Sequence, residues 1–487
     1  MVLKLSRRHF ARLAGLAALG TSLPAVAAEK GKPGEMRFAP APFPKGFIWG
    51  TATSSYQIEG AINEDGRGPS IWDTFSHTAG KIADHSTADR ANDHFHRYKE
   101  DVGLIKELGA KAYRFSIAWP RVFPDGTGTP NPKGLDFYDR LLDELLANGI
   151  EPFATLYHWD LPQALQDRLG GWESADICKA FADYAGYVAK RLTDRVKYIF
   201  TVNESGRFVN FGYGYGIDAP GLTLPGAQVN QVRHNVALAH GLAVQAVRAQ
   251  GRAGTKVGPA ENIAACVPAI DTPENVHAAE IATRELNAGF LNLMLEGKYT
   301  EAFLKYAGKD APRYTEEELK IISSPIDFLG LNIYAPQYYV VASDRSPGFD
   351  VLPFPASFPH MSSDWLRIAP ETAYWVPRLA AKIWNVETIY ITENGTSSDD
   401  KISKDGNIYD LDRVMYLRNY LTQLQRATAE GVPVRGYFLW SLMDNFEWGD
   451  GFEQRFGLYH VDFNTKRRTP KLSASFYRET IARNAVA

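Results

Sequence analysis

Two short stretches of this chain drive apolar, β-branched residues straight into a carboxylate. Ile389 to Glu393 reads IYITE and is followed at once by Asn394 and Gly395, and Val196 to Val202 leads into Asn203 and Glu204 in VKYIFTVNES. A carboxylate at the tip of a buried strand can serve as acid, base or nucleophile. Two of them flanking one bond suit cleavage of a glycosidic linkage. One carboxyl protonates the departing oxygen, and the other attacks or stabilises the positively charged anomeric carbon. Taken singly, either glutamate is more often a helix cap or an ion-pair partner. The chemistry therefore depends on which elements bring the two together.

Those elements alternate along the chain. Strand-like runs fall at 47–54, 112–119, 151–159, 196–204, 256–263, 326–334, 389–395 and 436–444. Most are short, apolar and rich in β-branched or aromatic residues, as expected of parallel strands covered on both faces. Between them lie amphipathic helices. In 92–108 the residues Phe95, Tyr98, Val102 and Ile105 recur at helical spacing before Gly109, and 135–147, 177–192 and 412–430 repeat the pattern. Eight strands alternating with helices predict an α/β fold, a single (β/α)8 TIM barrel with enlarged βα loops. A doubly wound open sheet is the alternative, weakened by the absence of a GxGxxG or P-loop after the first strand.

In such a barrel the site is built from the C-terminal ends of the strands. Those ends carry Gln57 after the first strand, Arg114 within the second, His158 and Trp159 on the third, and Asn203 and Glu204 on the fourth. The sixth carries Asn332 and Tyr334 and the seventh Glu393; Trp440 lies on the eighth, with Glu447 and Trp448 just beyond. Each has an ordinary reading, as a core histidine, a core aromatic or a loop hydrogen-bonder. The conjunction is what points to a site. No His/Asp/Glu cluster has metal-site spacing, and no GxSxG is present.

Composition narrows the classes further. The chain has 487 residues, 45% hydrophobic and 22% charged, which is ordinary for a large globular protein. Its net charge of −3, with no basic block beyond the N-terminus, offers nothing to a nucleic acid. Cys178 and Cys266 are far apart and allow at most one disulfide; buried free thiols are the expectation. Residues 1–28 differ from the rest. They hold Lys4, Arg7, Arg8 and Arg12 with no acids, an apolar run from Leu13, and a small-residue Ala25-Val26-Ala27 end. This reads as a bacterial export signal of the twin-arginine kind, leading to the periplasm. The apolar run is too short for the roughly 20 residues of a membrane span, so no stable membrane insertion is expected. Residues 29–42 are a lead-in, and 43–487 form the barrel.

The stretches FIWGTATSSYQIEGA, LYHWDLPQAL, TVNES, DFLGLNIY, YITENG and LWSLMDNFEWGDGFEQRFGLYHVDF, in that order, resemble glycoside hydrolase family 1. The resemblance implies retaining cleavage of β-glycosides without a cofactor or metal. It also implies roles by position: Glu393 as nucleophile and Glu204 as acid/base, their carboxyls about 5–5.5 Å apart. Arg114, Tyr334 and Asn332 would support the nucleophile. Gln57, His158, Trp159, Asn203, Glu447 and Trp448 would hold the sugar over a Trp440 floor. On this reading Arg114 and Tyr334 keep the Glu393 pKa low, and Glu204 needs a raised one.

Two positions depart from the family's habit. Ser205 stands where Pro usually follows the acid/base, and Asp218 where His is common. Glu447 suits the 4- and 6-hydroxyls of a free sugar and repels a 6-phosphate, and Glu at 204 argues against a thioglucosidase, which would carry Gln. The expected activity is a β-glucosidase acting on cellobiose, short cello-oligosaccharides and aryl or alkyl β-glucosides. A β-galactosidase or β-fucosidase, a transglycosylase on the same site, and a non-catalytic carbohydrate-binding protein are the alternatives. The aromatic and Pro-rich stretch 335–375 is expected to shape the aglycone mouth.

Overall fold

The computed structural model describes residues 42–486. The export-signal reading of residues 1–28 lies outside them, as does nearly all of the lead-in. All eight predicted strands form, most of them trimmed at their ends: β1 Ile48–Ala52, β2 Ala112–Ser116, β3 Glu151–Tyr157, β4 Tyr198–Asn203, β5 Lys256–Asn262, β6 Leu329–Asn332, β7 Ile389–Asn394 and β8 Val434–Trp440. Each pairs in parallel with its neighbours, and β1 closes against β8. The predicted TIM barrel is therefore the fold.

Helices cover its outside because their apolar stripes leave them no other stable position. His94–Leu108 buries Phe95, Tyr98, Val102 and Ile105 and stops at Gly109, whose φ of 75° suits a residue without a side chain. Pro132–Ala147, Asp176–Leu192 and Leu411–Ala429 match the other predicted helices. Inside the barrel a second core packs separately: Phe153, Phe200, Phe328, Tyr390 and Phe438 interlock with Ala52, Ala112 and Ala260. Phe153 stacks on Tyr198 at 4.2 Å and meets Phe438 at 4.8 Å. Large rings fit only because small residues face them. A Cβ at Gly50 would stand 2.6 Å from the Phe438 ring. This filled interior forms a floor, so the site can occupy only the top.

The enlarged loops have structure of their own. Within 335–375, Tyr338–Ala342 and Phe349–Leu352 are strands, joined with Cys266–Pro268 into a three-stranded sheet beside the barrel mouth. Cys178 and Cys266 are buried and unpaired. No helix of the described residues is long and apolar enough to cross a membrane.

Candidate active site

A hollow of about 580 Å³ opens above the barrel floor, and both Glu204 and Glu393 line it. Glu204 follows the end of β4 and Glu393 lies on β7, paired with Asn332 on β6. Asn332 in turn pairs with Asn262 on β5, so the tips of β5, β6 and β7 stand level, while Asn203 at the end of β4 pairs with Ala260 two residues lower. A continuous polar chain joins the two carboxyls. Asn332 Nδ2 donates to Glu204 Oε1 at 2.8 Å and to Asn203 Oδ1 at 3.1 Å. Arg114 donates to Asn203 Oδ1 and to Glu393 Oε1, both at 2.6 Å. Tyr334 closes the other side, its hydroxyl donating to Glu393 Oε2 at 2.8 Å.

Local sequence explains why this chain of donors is rigid. Thr392, one residue before Glu393, donates to Asn332 Oδ1 at 2.7 Å and so turns the Asn332 amide nitrogen toward Glu204. Asn394 donates to the Ile333 carbonyl at 2.6 Å and accepts from the Tyr437 hydroxyl at 2.8 Å, tying β7 to both neighbours. Gly395 is required by contact: a Cβ there would lie 1.7 Å from the Trp440 carbonyl oxygen. The ITENG stretch is thus one carboxylate with its mounting.

The electrostatics separate the two glutamates. Burial and the Glu393 charge push the Glu204 carboxyl up to about 7. Glu393 departs from the sequence expectation. Burial raises it above the usual carboxylate value, and the Arg114 charge and the bonds from Arg114, Tyr334 and Asn332 draw it only partway back. The low pKa expected from its partners fails because desolvation of a carboxylate 4% exposed outweighs one guanidinium. Arg114 bonds Glu393 and not Glu204, so Glu393 is the first of the pair to ionise.

The remaining predicted residues fall into two groups. His158, Trp159, Asn203, Trp440, Glu447 and Trp448 line the same hollow. His158 lies nearly parallel to Trp440 and Trp448, with centroids 5.8 Å away in each case. Its Nε2 accepts from Asn203 at 3.2 Å while Nδ1 has no partner. Trp159 packs on Trp448 at 4.5 Å, but its N–H is used by the Asn203 carbonyl, leaving only ring surface. Burial and Asp450 push the Glu447 carboxyl up to about 8. Gln57 stands behind this wall, fully buried, its amide bonded to Asn445, Phe446 and Glu447. Arg114 is likewise behind the wall, as its role toward Glu393 requires. Glu204, Trp159 and Trp448 all have left-handed φ, between 50° and 77°. That conformation costs a residue with a side chain about 1–3 kcal/mol and is concentrated at functional sites.

Sequence reasoning did not place Lys81, Arg207, Trp365, Arg367 and Asp450, which also line the hollow. Arg207 lies on the short helix Ser205–Val209 and Asp450 on the 3-10 turn Trp448–Asp450, the others on loops, and only the aromatic richness of 335–375 hinted at Trp365. The two departures are explained locally. Asp218 pairs with Arg207 at 3.1 Å, and that guanidinium lies over Phe211 at 3.9 Å. Ser205 donates to the buried Glu261.

The chain matches the family model for glycosyl hydrolase family 1 over residues 39–486. It is 45% identical to beta-glucosidase A of Acetivibrio thermocellus across 91% of this chain and 98% of that one. A bifunctional beta-D-glucosidase/beta-D-fucosidase of Bifidobacterium breve is 42% identical, covering 90% and 98%. Among solved structures, a family 1 β-glucosidase of Thermotoga maritima superposes with a TM-score of 0.84 at 40% identity, covering 92% of this chain and all of that one. The same enzyme in complex with glucoimidazole gives 0.83 at 41% identity, covering 91% and 99%. Matched along its barrel from first strand to last helix, the chain belongs to glycosyl hydrolase family 1.

Proposed function

We propose that the protein is a retaining β-glucosidase that removes terminal non-reducing β-D-glucosyl residues. The observation that carries this reading is the polar chain Glu204–Asn332–Asn203–Arg114–Glu393 around one sugar-sized hollow. In the first step the ionised Glu393 attacks the anomeric carbon while Glu204 gives its proton to the departing oxygen, breaking the glycosidic bond and forming a glycosyl ester. In the second, Glu204, now a carboxylate, takes a proton from water, whose oxygen displaces Glu393. The resting proton distribution fits: the group held up to about 7 is the one that must start protonated.

His158, Glu447 and the faces of Trp440 and Trp448 supply the glucosyl site, with donors for the hydroxyls and flat surface for the C–H face. A 6-phosphate would bring charge beside Glu447, whose own ionisation is already opposed by burial and by Asp450. That supports a neutral sugar. The family 1 relatives described as β-glucosidases, and the T. maritima enzyme bound to a glucoimidazole, support glucose. The relative that also bears a β-D-fucosidase description makes fucosides the first alternative to test. A panel of p-nitrophenyl β-glycosides with cellobiose, the anomer followed by NMR, tests the reading: β-glucosides are expected to be cut fastest, releasing β-glucose. Release of the α-anomer would overturn it.

We further propose export through residues 1–28, supported by Arg7-Arg8, the short apolar run and the absence of acids. Replacing both arginines with lysine is expected to hold activity in the cytoplasmic fraction. Unchanged export would contradict this.

A further inference from the structure

Glu261 has no place in the chemistry above, yet it is 1% exposed and carries a carboxyl. Its neighbour Ala260 faces the barrel interior beside Phe200 and Phe328, so alternation along β5 sends Glu261 the opposite way, into the helical layer behind the hollow. There it makes no ion pair with any described cation. Its partner is Ser205. The Ser205 N–H lies 2.9 Å from Oε2 and the Ser205 hydroxyl 2.5 Å from Oε1. Both side-chain oxygens of one buried residue are spent on the residue next to Glu204.

The backbone shows what this accomplishes. Glu204 is held at φ 51°, ψ 57°, a left-handed conformation that a residue with a Cβ does not choose unaided. Its own N–H donates to the Ala260 carbonyl at 2.8 Å. The next N–H, that of Ser205, donates to the Glu261 side chain. Two consecutive peptide groups are therefore bound to two consecutive residues of β5, one on each side of the strained Cα. The second anchor is made wholly of side chain on the β5 side, so substitution can remove it without touching the barrel ladder.

We propose that Glu261 and Ser205 form a positioning pair that holds the left-handed turn at Glu204 and so aims its carboxyl at the leaving-group oxygen. The pair touches no substrate. It acts only through Glu204, and the inference rests on the acid/base reading of that residue. In kcat/KM, which reads only the steps up to formation of the glycosyl ester, its effect is confined to substrates that need a proton delivered. A leaving group as acidic as 2,4-dinitrophenol departs without one, whereas the glucose leaving from cellobiose requires it.

The test measures kcat/KM on cellobiose and on 2,4-dinitrophenyl β-glucoside for Glu261→Leu, Ser205→Ala and the double variant. Glu261→Leu is expected to lose about 10-fold or more on cellobiose and less than about 2-fold on the activated substrate, a fraction of the roughly 10²–10⁴-fold that a whole general acid supplies. Ser205→Ala, which keeps the N–H, is expected to show a smaller loss in the same direction. The double variant should be no worse than Glu261→Leu, since both changes break one contact. If Glu261→Leu does not fold, the Ser205→Ala split decides alone. Equal losses on both substrates, or no loss on cellobiose, would overturn the pair. Glu204→Gln runs beside them: a large split there with none in the pair's variants defeats only this inference, whereas no split in Glu204→Gln removes the acid/base reading itself.

Discussion

Two clusters of carboxylates sit near the C-terminal end of β8, and Glu393 in one and Asp444 in the other are shifted in opposite directions. Around the hollow, Glu204, Glu393 and Glu447 have one bonded cation among them, Arg114 on Glu393, and all three are pushed above the ordinary carboxylate value, chiefly by burial. Beside it, Asp400, Asp410 and Asp444 meet Arg413, Lys471 and Arg455. Arg413 grips Asp400 at 2.8 and 2.9 Å and also pairs with Asp410. Lys471 bridges Asp400 and Asp444 at 2.6 and 2.5 Å, and Arg455 reaches Asp444 at 2.7 Å. Burial opposes the charge on Asp444 too, yet Lys471 and Arg455 outweigh it and its carboxyl falls below the usual value. Glu393 and Asp444 are both buried, 4% and 0% exposed. Between these two, the number of bonded cations sets the direction of the shift.

The comparison separates activity from stability, and variants can break it. The largest effect is expected from Glu393→Gln. kcat/KM should fall by on the order of 10⁴-fold or more, because the covalent step loses its nucleophile, while thermal unfolding stays near that of wild type. Glu204→Ala should lose roughly 10²–10⁴-fold on unactivated substrates. Azide should restore turnover of 2,4-dinitrophenyl β-glucoside, giving a β-glucosyl azide; no rescue would speak against its role. In the other cluster the pattern reverses. Arg413→Met leaves two buried carboxylates short of a partner and should cost about 3–5 kcal/mol in urea unfolding, with kcat of the folded fraction within a few-fold of wild type.

pH sharpens the same contrast. Activity should fall as pH rises through about 7, where Glu204 loses its proton. For stability, Glu204 has a folded value raised above the roughly 4.3 of an unfolded glutamate. Between those values the native state holds a proton the unfolded chain has released, so stability from this group drops as pH rises. Glu204→Gln should therefore match wild type near pH 4 and exceed it at pH 8 by on the order of 3–4 kcal/mol. Asp444 runs the other way: its depressed value adds stability above about 3.9 that is lost as pH falls through the folded value. Denaturation midpoints across pH 3–8 would read both slopes.

Much of this was visible in the chain before any coordinates. The eight strands are short apolar runs, and a run that ends in a carboxylate announces both itself and its tip; Glu204 and Glu393 are local signals. The helix Gly226–Gln250 is not among the helices read from the sequence, although Val232, Val236, Ala239, Ala243 and Val247 stand at helical spacing within it. What stayed hidden depends on distance in sequence or on closure. The direction of the Glu393 shift follows from how little water reaches it, which no motif encodes. Gln57 is a plausible sugar ligand by position, and only packing shows its amide already committed behind Glu447. Ser205 could be noticed as unusual, but its partner lies 56 positions away. The strands of 335–375 were masked by prolines and read as loop.

The central claim is that Glu393 takes the sugar covalently while Glu204 manages the proton. Incubation with a 2-deoxy-2-fluoro-β-D-glucosyl fluoride, which slows release of the ester, followed by proteolysis and mass spectrometry, addresses it most directly. The account predicts one fluoroglucosyl group per chain, on the peptide containing Glu393, and reactivation by an added alcohol. A label on Glu204 or elsewhere, or full turnover with no trapped ester, would contradict it.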